Sequence, residues 1–459
     1  MPRPIDPSGF SLEVRLRVID TGDVYPLWVG GGAPVGGGTS MFFSMAGHFD
    51  DIPVVEGATI DIALGINSDI TIPISAGFDL GLALLDSQLF QIGNRLEVRI
   101  QYPKIGLSTP WFSGLTQRPD FEIGEEGFGG TLKAVGAGYA GQRSSGRDQW
   151  ENASYADVLS DISDRPYNGW QLVLPDEDGG ADDPLYVSRP SVSQHLMSDW
   201  VFINHLARLS GCDVRLIWAQ DGVPTLEVLR RSDEFAAEPR YTFRFRGQID
   251  NISVFPIYTF SAEGEEVSLP RGNAQVVCSD IDPGSLSIVG AEVTQDQRQE
   301  VVPRMGAEAV EPGGAATTAD QAVSAVLPAE GEHLVVPAAD QGQNQRDAVN
   351  RRADEAAARG GFHATLTTMG MHDLLPGEVI RIDGIGSLFS GNYLVIGVTH
   401  EVSDGWDTTL KLLSNAQGGE GAIVEVLRRQ WSGFNDRQPP ERGDPDSGAD
   451  VDVGSEPAA

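Results

Sequence analysis

The chain has 459 residues, of which 66 are Asp or Glu and 32 are Lys or Arg, for a formal charge of −34. That balance argues against a nucleic-acid grip, which needs a basic face to displace counterions, and against docking on an anionic membrane surface; a local basic patch stays compatible with it. Lysine is scarce: Lys104, Lys133 and Lys411 are the only three, and the other 29 basic residues are arginines.

The length suits roughly two to four domains. The sequence is 40% hydrophobic, enough for most of it to bury a core, and its 55 Gly and 28 Pro imply many turns and a β-rich fold. The first six residues, Met1-Pro-Arg-Pro-Ile-Asp, hold no apolar signal core. No stretch approaches the roughly 20 apolar residues of a membrane span. A soluble chain assembled in a cytoplasm is expected.

Residues 11–20 alternate apolar and polar side chains, the period of a half-buried strand. A Gly-rich loop is expected over 30–38. Further strands are predicted at 59–66, 70–74, 95–102, 111–116 and 130–136. The middle changes character. Ser154 caps a short predicted helix with Asp157 in its first turn, and Pro166 stops it. Residues 175–184 read as an acidic loop. A second helix is predicted over 198–210, capped by Ser198 and closed by Gly211, and a hairpin follows at 212–218 and 225–230. Strands resume at 241–246, 254–261 and 275–279. From about 300 to 345 the Ala/Glu/Gly/Gln composition predicts a weakly structured insertion, then a helix over 345–359. Strands are predicted at 362–369, 379–382, 393–402 and 408–413, a short helix at 422–431, and a disordered acidic tail from 435.

No catalytic, cofactor-binding or metal site is expected. The seven histidines form no metal-type spacing; His195 and His205 lie ten apart and share no helical face. Neither a G-x-S-x-G elbow nor a Walker loop occurs. Gly136-Ala-Gly138-Tyr-Ala-Gly141 fits G-x-G-x-x-G but lacks the βαβ setting of a dinucleotide site, so it reads as a Gly-rich turn. The carboxylates of Asp176-Glu-Asp178 and Asp182-Asp183 are expected to solvate a loop, and their spacing does not match an EF-hand. Arg230-Arg231 and Arg351-Arg352 read as surface or interface pairs. Cys212 and Cys278 are expected as reduced, buried thiols, with a disulfide between them left open.

A family pattern appears in three places. Residues 365–370, Leu375-Pro-Gly-Glu-Val-Ile-Arg-Ile-Asp-Gly-Ile-Gly386, Phe389-Ser-Gly-Asn-Tyr-Leu-Val395, Val398-Thr-His-Glu-Val402 and Gly405-Trp-Asp-Thr-Thr-Leu-Lys-Leu412 form an ordered run. Trp111-Phe-Ser-Gly-Leu-Thr with Ala134-Val-Gly-Ala-Gly-Tyr is the second place, and the helices at Tyr155-Ala-Asp-Val-Leu and Asp199-Trp-Val-Phe-Ile-Asn-His-Leu-Ala are the third. Together they resemble the phage tail hub proteins of the late control D-like and VgrG-like family. Gly370, Pro376, Gly377, Gly391, Tyr393, His400 and Thr409 carry the motif; each is read as shaping the fold, His400 included.

The resemblance implies a mainly β fold with an α+β insert: two tail-tube-like antiparallel β-barrels and a mixed α/β middle. The expected parts are a first barrel (1–145), the insert (146–240), a second barrel (241–299 and 360–416), an Ala/Glu/Gln-rich insertion with its helix (300–359), and a C-terminal helix and tail (417–459). It also implies a homotrimer whose six barrels adapt a six-fold tail tube to a three-fold tip. Its partners would be a tail tube or distal tail protein, a separate spike or tip protein, and a tape-measure protein, with genomic DNA passing through unbound. The place would be a virion tail tip, assembled in the host cytoplasm. Two other readings compete: a tail-associated cell-wall or polysaccharide hydrolase, which needs an acid in a cleft that the sequence does not reveal, and a surface-glycan adhesin. The acid excess fits a lumen that repels DNA. With lysine depleted, it also resembles proteins of salt-loving hosts.

Overall fold

The computed structural model describes residues 9–30, 54–86, 90–124, 127–177, 183–218, 223–264, 275–281, 288–293, 317–318, 333–337, 362–386, 389–414 and 416–417. Apart from Gly30, which ends a strand, the loop predicted at 30–38 lies outside these residues, as do most of the 300–345 insertion, the helices at 345–359 and 422–431 and the acidic tail.

The N-terminal part is built from β1 (Ser11–Arg17), β2 (Val24–Gly30), β3 (Val54–Val55), β4 (Ala58–Ala63), β5 (Ile66–Ala76), α1 (Phe78–Asp86), β6 (Arg95–Tyr102), β7 (Leu107–Ser108), β8 (Phe112–Thr116), β9 (Asp120–Gly124) and β10 (Gly127–Val135). Strand β1 lies between β2 and β6; β6 continues to β8, β8 to β10, β10 to β5 and β5 to β4, every pair antiparallel. The alternation read in the sequence becomes two faces. Leu12, Val14 and Leu16 of β1 and Leu96, Val98 and Ile100 of β6 enter the core, each such burial contributing about 1.5–3 kcal/mol. On the opposite face Glu97 pairs with both Arg15 and Arg17, and the Arg15 and Arg99 guanidiniums lie 3.6 and 4.5 Å from the Trp111 ring centre.

The insert contains α2 (Tyr139–Arg143), β11 (Gln149–Ala153), α3 (Tyr155–Ser163), β12 (Gln171–Val173), β13 (Arg189–Ser193), α4 (Asp199–Leu209), β14 (Cys212–Trp218), β15 (Pro224–Arg230) and α5 (Arg231–Ala236). Ser154 and Asp157 close a reciprocal capping box at the start of α3, and Ser198 caps α4. Gly211 follows α4 at φ 69°, the left-handed position glycine favours. The insert has its own core, with Tyr155, Leu159, Trp200, Ile203, Leu216 and Leu226 among its members.

The C-terminal part comprises β16 (Tyr241–Arg244), β17 (Val254–Pro256), β18 (Thr259–Gly264), β19 (Gln275–Ile281), β20 (Ile288–Val293), β21 (Thr317–Thr318), β22 (His333–Pro337), β23 (Phe362–Met369), β24 (Val379–Asp383), β25 (Gly391–Val402), β26 (Trp406–Ser414) and β27 (Ala416–Gln417). Strand β25 joins β24 and β26; β26 continues to β23 and β23 to β18. Tyr393 and Val395 enter the main core while Leu394 and Ile396 face a second, small cluster, the alternation the sequence predicts.

Strand β25 also pairs with β4, from Gly397–Ala63 to Val402–Ala58, so the two strand-rich ends share one mostly antiparallel 17-stranded sheet. Two expectations are corrected here. The second end is not wholly antiparallel, because β16 runs parallel to both β17 and β24. The strand expected at 59–66 breaks at a turn before Ile66.

Candidate functional site: the three-way junction

The N-terminal strands, the insert and the C-terminal strands meet around the turn between β4 and β5. The Leu64 N–H donates to the Ile396 carbonyl at 3.0 Å, and the next N–H, of Gly65, donates to the Val214 carbonyl of the insert at 2.7 Å. The Trp200 indole N–H reaches back to the Gly65 carbonyl at 3.2 Å. Gly65 sits at φ 68°, and a Cβ there would lie 2.7 Å from Asn204 Oδ1, so both conformation and space call for glycine. An apolar cavity of about 220 Å³ opens beside the junction, lined in part by Ile62, Ile70, Trp111, Phe112, Leu216 and Leu375.

The Gly136–Gly141 turn is a packing device. The Asn67 amide donates to the Gly136 carbonyl and accepts from the Gly138 N–H, at 3.2 and 3.1 Å. A Cβ at Gly136 would meet Ser68 Oγ at 2.3 Å, and one at Gly141 would meet the Trp170 ring at 2.7 Å. Gly136 lets the chain entering the insert press against β5, and Gly141 makes room for Trp170 within the insert.

The motif residues divide into two groups. Four sit at junctions. Gly370 lies flat against Trp406, where a Cβ would fall 2.1 Å from the indole. Its N–H donates to the Trp406 carbonyl at 2.8 Å and its carbonyl accepts from the Tyr102 hydroxyl at 3.1 Å. The Pro376 carbonyl accepts from Arg215 of the insert. Gly377, at φ 94°, donates to the Val395 carbonyl at 2.7 Å, and its missing Cβ leaves room for Leu229 and the Glu234 carboxyl. His400 is buried between Phe112 and Trp406, with ring centres 5.3 and 6.0 Å away. Its Nδ1 lies 3.4 Å from the donating Trp406 indole N–H and 3.2 Å from the Thr408 hydroxyl, which itself accepts from the Met371 N–H. Nδ1 is therefore an acceptor and the ring is neutral; burial pushes its pKa down to about 3.

The other three stay within the C-terminal strands. Gly391 opens β25 opposite Ile382. Tyr393 donates to the Phe389 carbonyl at 2.7 Å, and burial raises its phenol pKa. Thr409 lies beside Thr367, oxygen to oxygen 3.2 Å.

Sequence reasoning missed the partners of these residues. Tyr102 ends the buried parity of β6, a signal that could have marked it. Glu234 gave none: it is buried, both carboxyl oxygens lack a hydrogen-bond partner among the described residues, and burial with the nearby Asp213 carboxylate pushes its pKa up to about 9. Two expectations are overturned. Asp183 is buried rather than solvating a loop; it accepts from the Leu185 N–H and pairs with Arg230 at 2.7 Å. Arg231 is buried against Asp213, so neither member of Arg230-Arg231 is a free surface charge. Asp178, Asp182 and Arg351-Arg352 lie outside the described residues.

The insert is tied down by a buried carboxylate, Asp199, which accepts from Arg165, Tyr167, Asn168 and Gln194 at 2.6–3.1 Å. Burial alone would raise its pKa, but hydrogen bonds from Gln194 and Tyr167 and the Arg165 charge outweigh it and hold the group below its ordinary range. Burial raises the Cys212 thiol to about 11, an unreactive state; the Cys278 side chain lies outside the described residues. No group of three or more His, Cys, Asp or Glu among the described residues is arranged to hold a metal ion. What the junction can do is mechanical: it fixes three parts to one another through buried rings and backbone hydrogen bonds.

No protein-family model and no curated protein matches the sequence. Solved structures do match the fold. The 43 kDa tail protein of prophage MuSo2 from Shewanella oneidensis is similar at 10% identity and a TM-score of 0.55, over 88% of this chain and 98% of that one. A tail protein from Neisseria meningitidis is similar at 13% identity and a TM-score of 0.52, over 89% of this chain and 97% of that one. The resemblance read from the sequence therefore holds at the level of the fold.

Proposed function

We propose that this chain is the structural hub of a phage-like tail tip or baseplate. In this reading it forms a homotrimer in which each copy supplies two tube-like β-barrels, giving a ring of six around the DNA channel. The observation that carries the reading is the fold correspondence over nearly the whole length of two tail proteins. The junction supports it physically. An adaptor between a six-fold tube and a three-fold tip has to hold its two strand-rich parts in fixed relation, and here they share a sheet and a core.

The partners in this reading are a tail tube or distal tail protein on one side and a separate spike or tip protein on the other. A tape-measure protein and genomic DNA pass through without specific binding. The role is structural rather than catalytic. The chain works at the virion tail tip after assembly in the host cytoplasm, and its acid excess keeps DNA from adhering to the channel. Cryo-electron microscopy of tails carrying a tagged chain, with the mass of the purified chain in solution, tests this. A three-copy ring at the tip is expected; a stable monomer absent from the tip sinks it.

A further inference from the structure

We propose that the apolar cavity at the three-way junction is a binding site for a compact, uncharged apolar molecule of the size of an aromatic ring; this goes beyond the hub reading and does not rest on it. The cavity holds about 220 Å³, and all three parts of the chain lend it walls. Ile60 of β4, Ile70 of β5 and Leu216 of β14 are buried and line its inner end. Trp111, Ile217 and Leu375 are half-buried and line its outer end. The site is therefore complete only where the N-terminal strands, the insert and the C-terminal part meet.

The lining selects the guest. No ionisable side chain is part of it, and Ser68 and Ser113 are its only polar residues. A buried water needs about two to four polar partners, more than such a wall supplies. A charged guest would lose its hydration without compensation. In another protein an apolar cavity of about 150 Å³ stays dry and takes benzene, so this one has room for such a ring. Unfilled apolar space deprives its lining of dispersion contacts and destabilises in proportion to its volume; a guest restores what is missing.

The walls are already in place. The Leu64 and Gly65 hydrogen bonds to Ile396 and Val214 hold the end of β4 against both neighbouring parts. The Trp111 ring is pinned by the Arg15 and Arg99 guanidiniums, whose charges pair with Glu97 and Glu13 and stay outside the lining. A pre-formed site loses little entropy on binding. A guest that touches all three parts favours the arrangement in which they meet.

The test uses the full-length chain, with benzene as the probe and benzoate as its charged counterpart. Titration calorimetry is expected to show saturable binding of benzene and none of benzoate, and benzene should raise the unfolding midpoint as its concentration passes the dissociation constant. Ile217→Trp and, separately, Leu375→Phe add bulk at the outer end and are expected to weaken benzene binding by about tenfold or more. Val201→Thr, at a 54% exposed site on α4, is expected to leave it unchanged. Far-ultraviolet circular dichroism confirms that each variant is folded. A wild-type chain that does not bind benzene has the cavity closed by its own residues, and the proposal falls. It falls equally if benzoate binds as well as benzene, or if both filling variants fold and bind benzene as wild type does. None of these outcomes bears on the hub reading, which the copy number at the tail tip decides.

Discussion

Tyr102 and Trp406 stack with ring centres 4.8 Å apart and planes inclined by 28°, and the Tyr102 hydroxyl donates past the indole to the Gly370 carbonyl. One ring comes from the N-terminal strands and the other from the C-terminal strands, so this contact is where the two ends become one core.

Trp406→Ala should therefore cost more than a core substitution confined to one part. Removing a buried aromatic costs about 3–5 kcal/mol, and here Gly370 and His400 would also be left without the indole they pack on. Gly370→Ala should cost about 1–3 kcal/mol by overpacking against the same ring. Urea unfolding checks both; a Gly370→Ala protein as stable as wild type would falsify the flat packing of glycine on indole.

Glu234 should make the chain sensitive to alkali. Its folded pKa of about 9 stands above the ordinary 4.5, so the neutral carboxyl is favoured by folding. The stability it contributes is fully present below 4.5 and is lost as pH rises through 9. Glu234→Gln should flatten the decline between those values. The measurement is the difference in unfolding free energy between variant and wild type as a function of pH, which removes groups such as Asp199 that act in the opposite sense. A constant difference would show that the carboxyl does not sit as described.

His400 should act at the acid end. Its folded pKa of about 3 lies below the ordinary 6.5, so the neutral ring is favoured by folding. Its contribution is present above 6.5 and is lost as pH falls toward 3. His400→Asn is expected to lower stability at neutral pH, since the site is buried, but to reduce the acid-side slope. Equal slopes in the two proteins would place a proton on the wild-type ring.

The charge of −34 should make stability depend on salt. Self-repulsion among exposed acids is screened within about 10 Å at 0.1 M and about 3 Å at 1 M salt. A chain from a high-salt setting should gain thermal stability steadily into the molar range. A midpoint that does not move with molar salt would count against a high-salt origin of the acid excess.

Much of this fold is local and legible as such. The alternation of Leu12, Val14 and Leu16 with Glu13, Arg15 and Arg17 sets which face of β1 is buried, because successive strand side chains point to opposite sides. Ser154 and Ser198 start their helices because a short polar side chain satisfies a free backbone N–H wherever the rest of the chain goes. Helix α1 is not legible in this way, since Phe78–Asp86 is a short apolar run interrupted by Gly81 and carries no clear helical period. What only the tertiary structure decided is pairing and burial across distance. Nothing in the period of β25 says that it pairs with β4, because strand register with a remote partner is a choice among many edges with the same alternation. Nor does an acidic loop announce that Asp183 will be buried under Arg230, or a helix that Glu234 will be sealed beneath Gly377. A carboxylate's environment is set by what packs over it, and here that comes from residues far away in the chain.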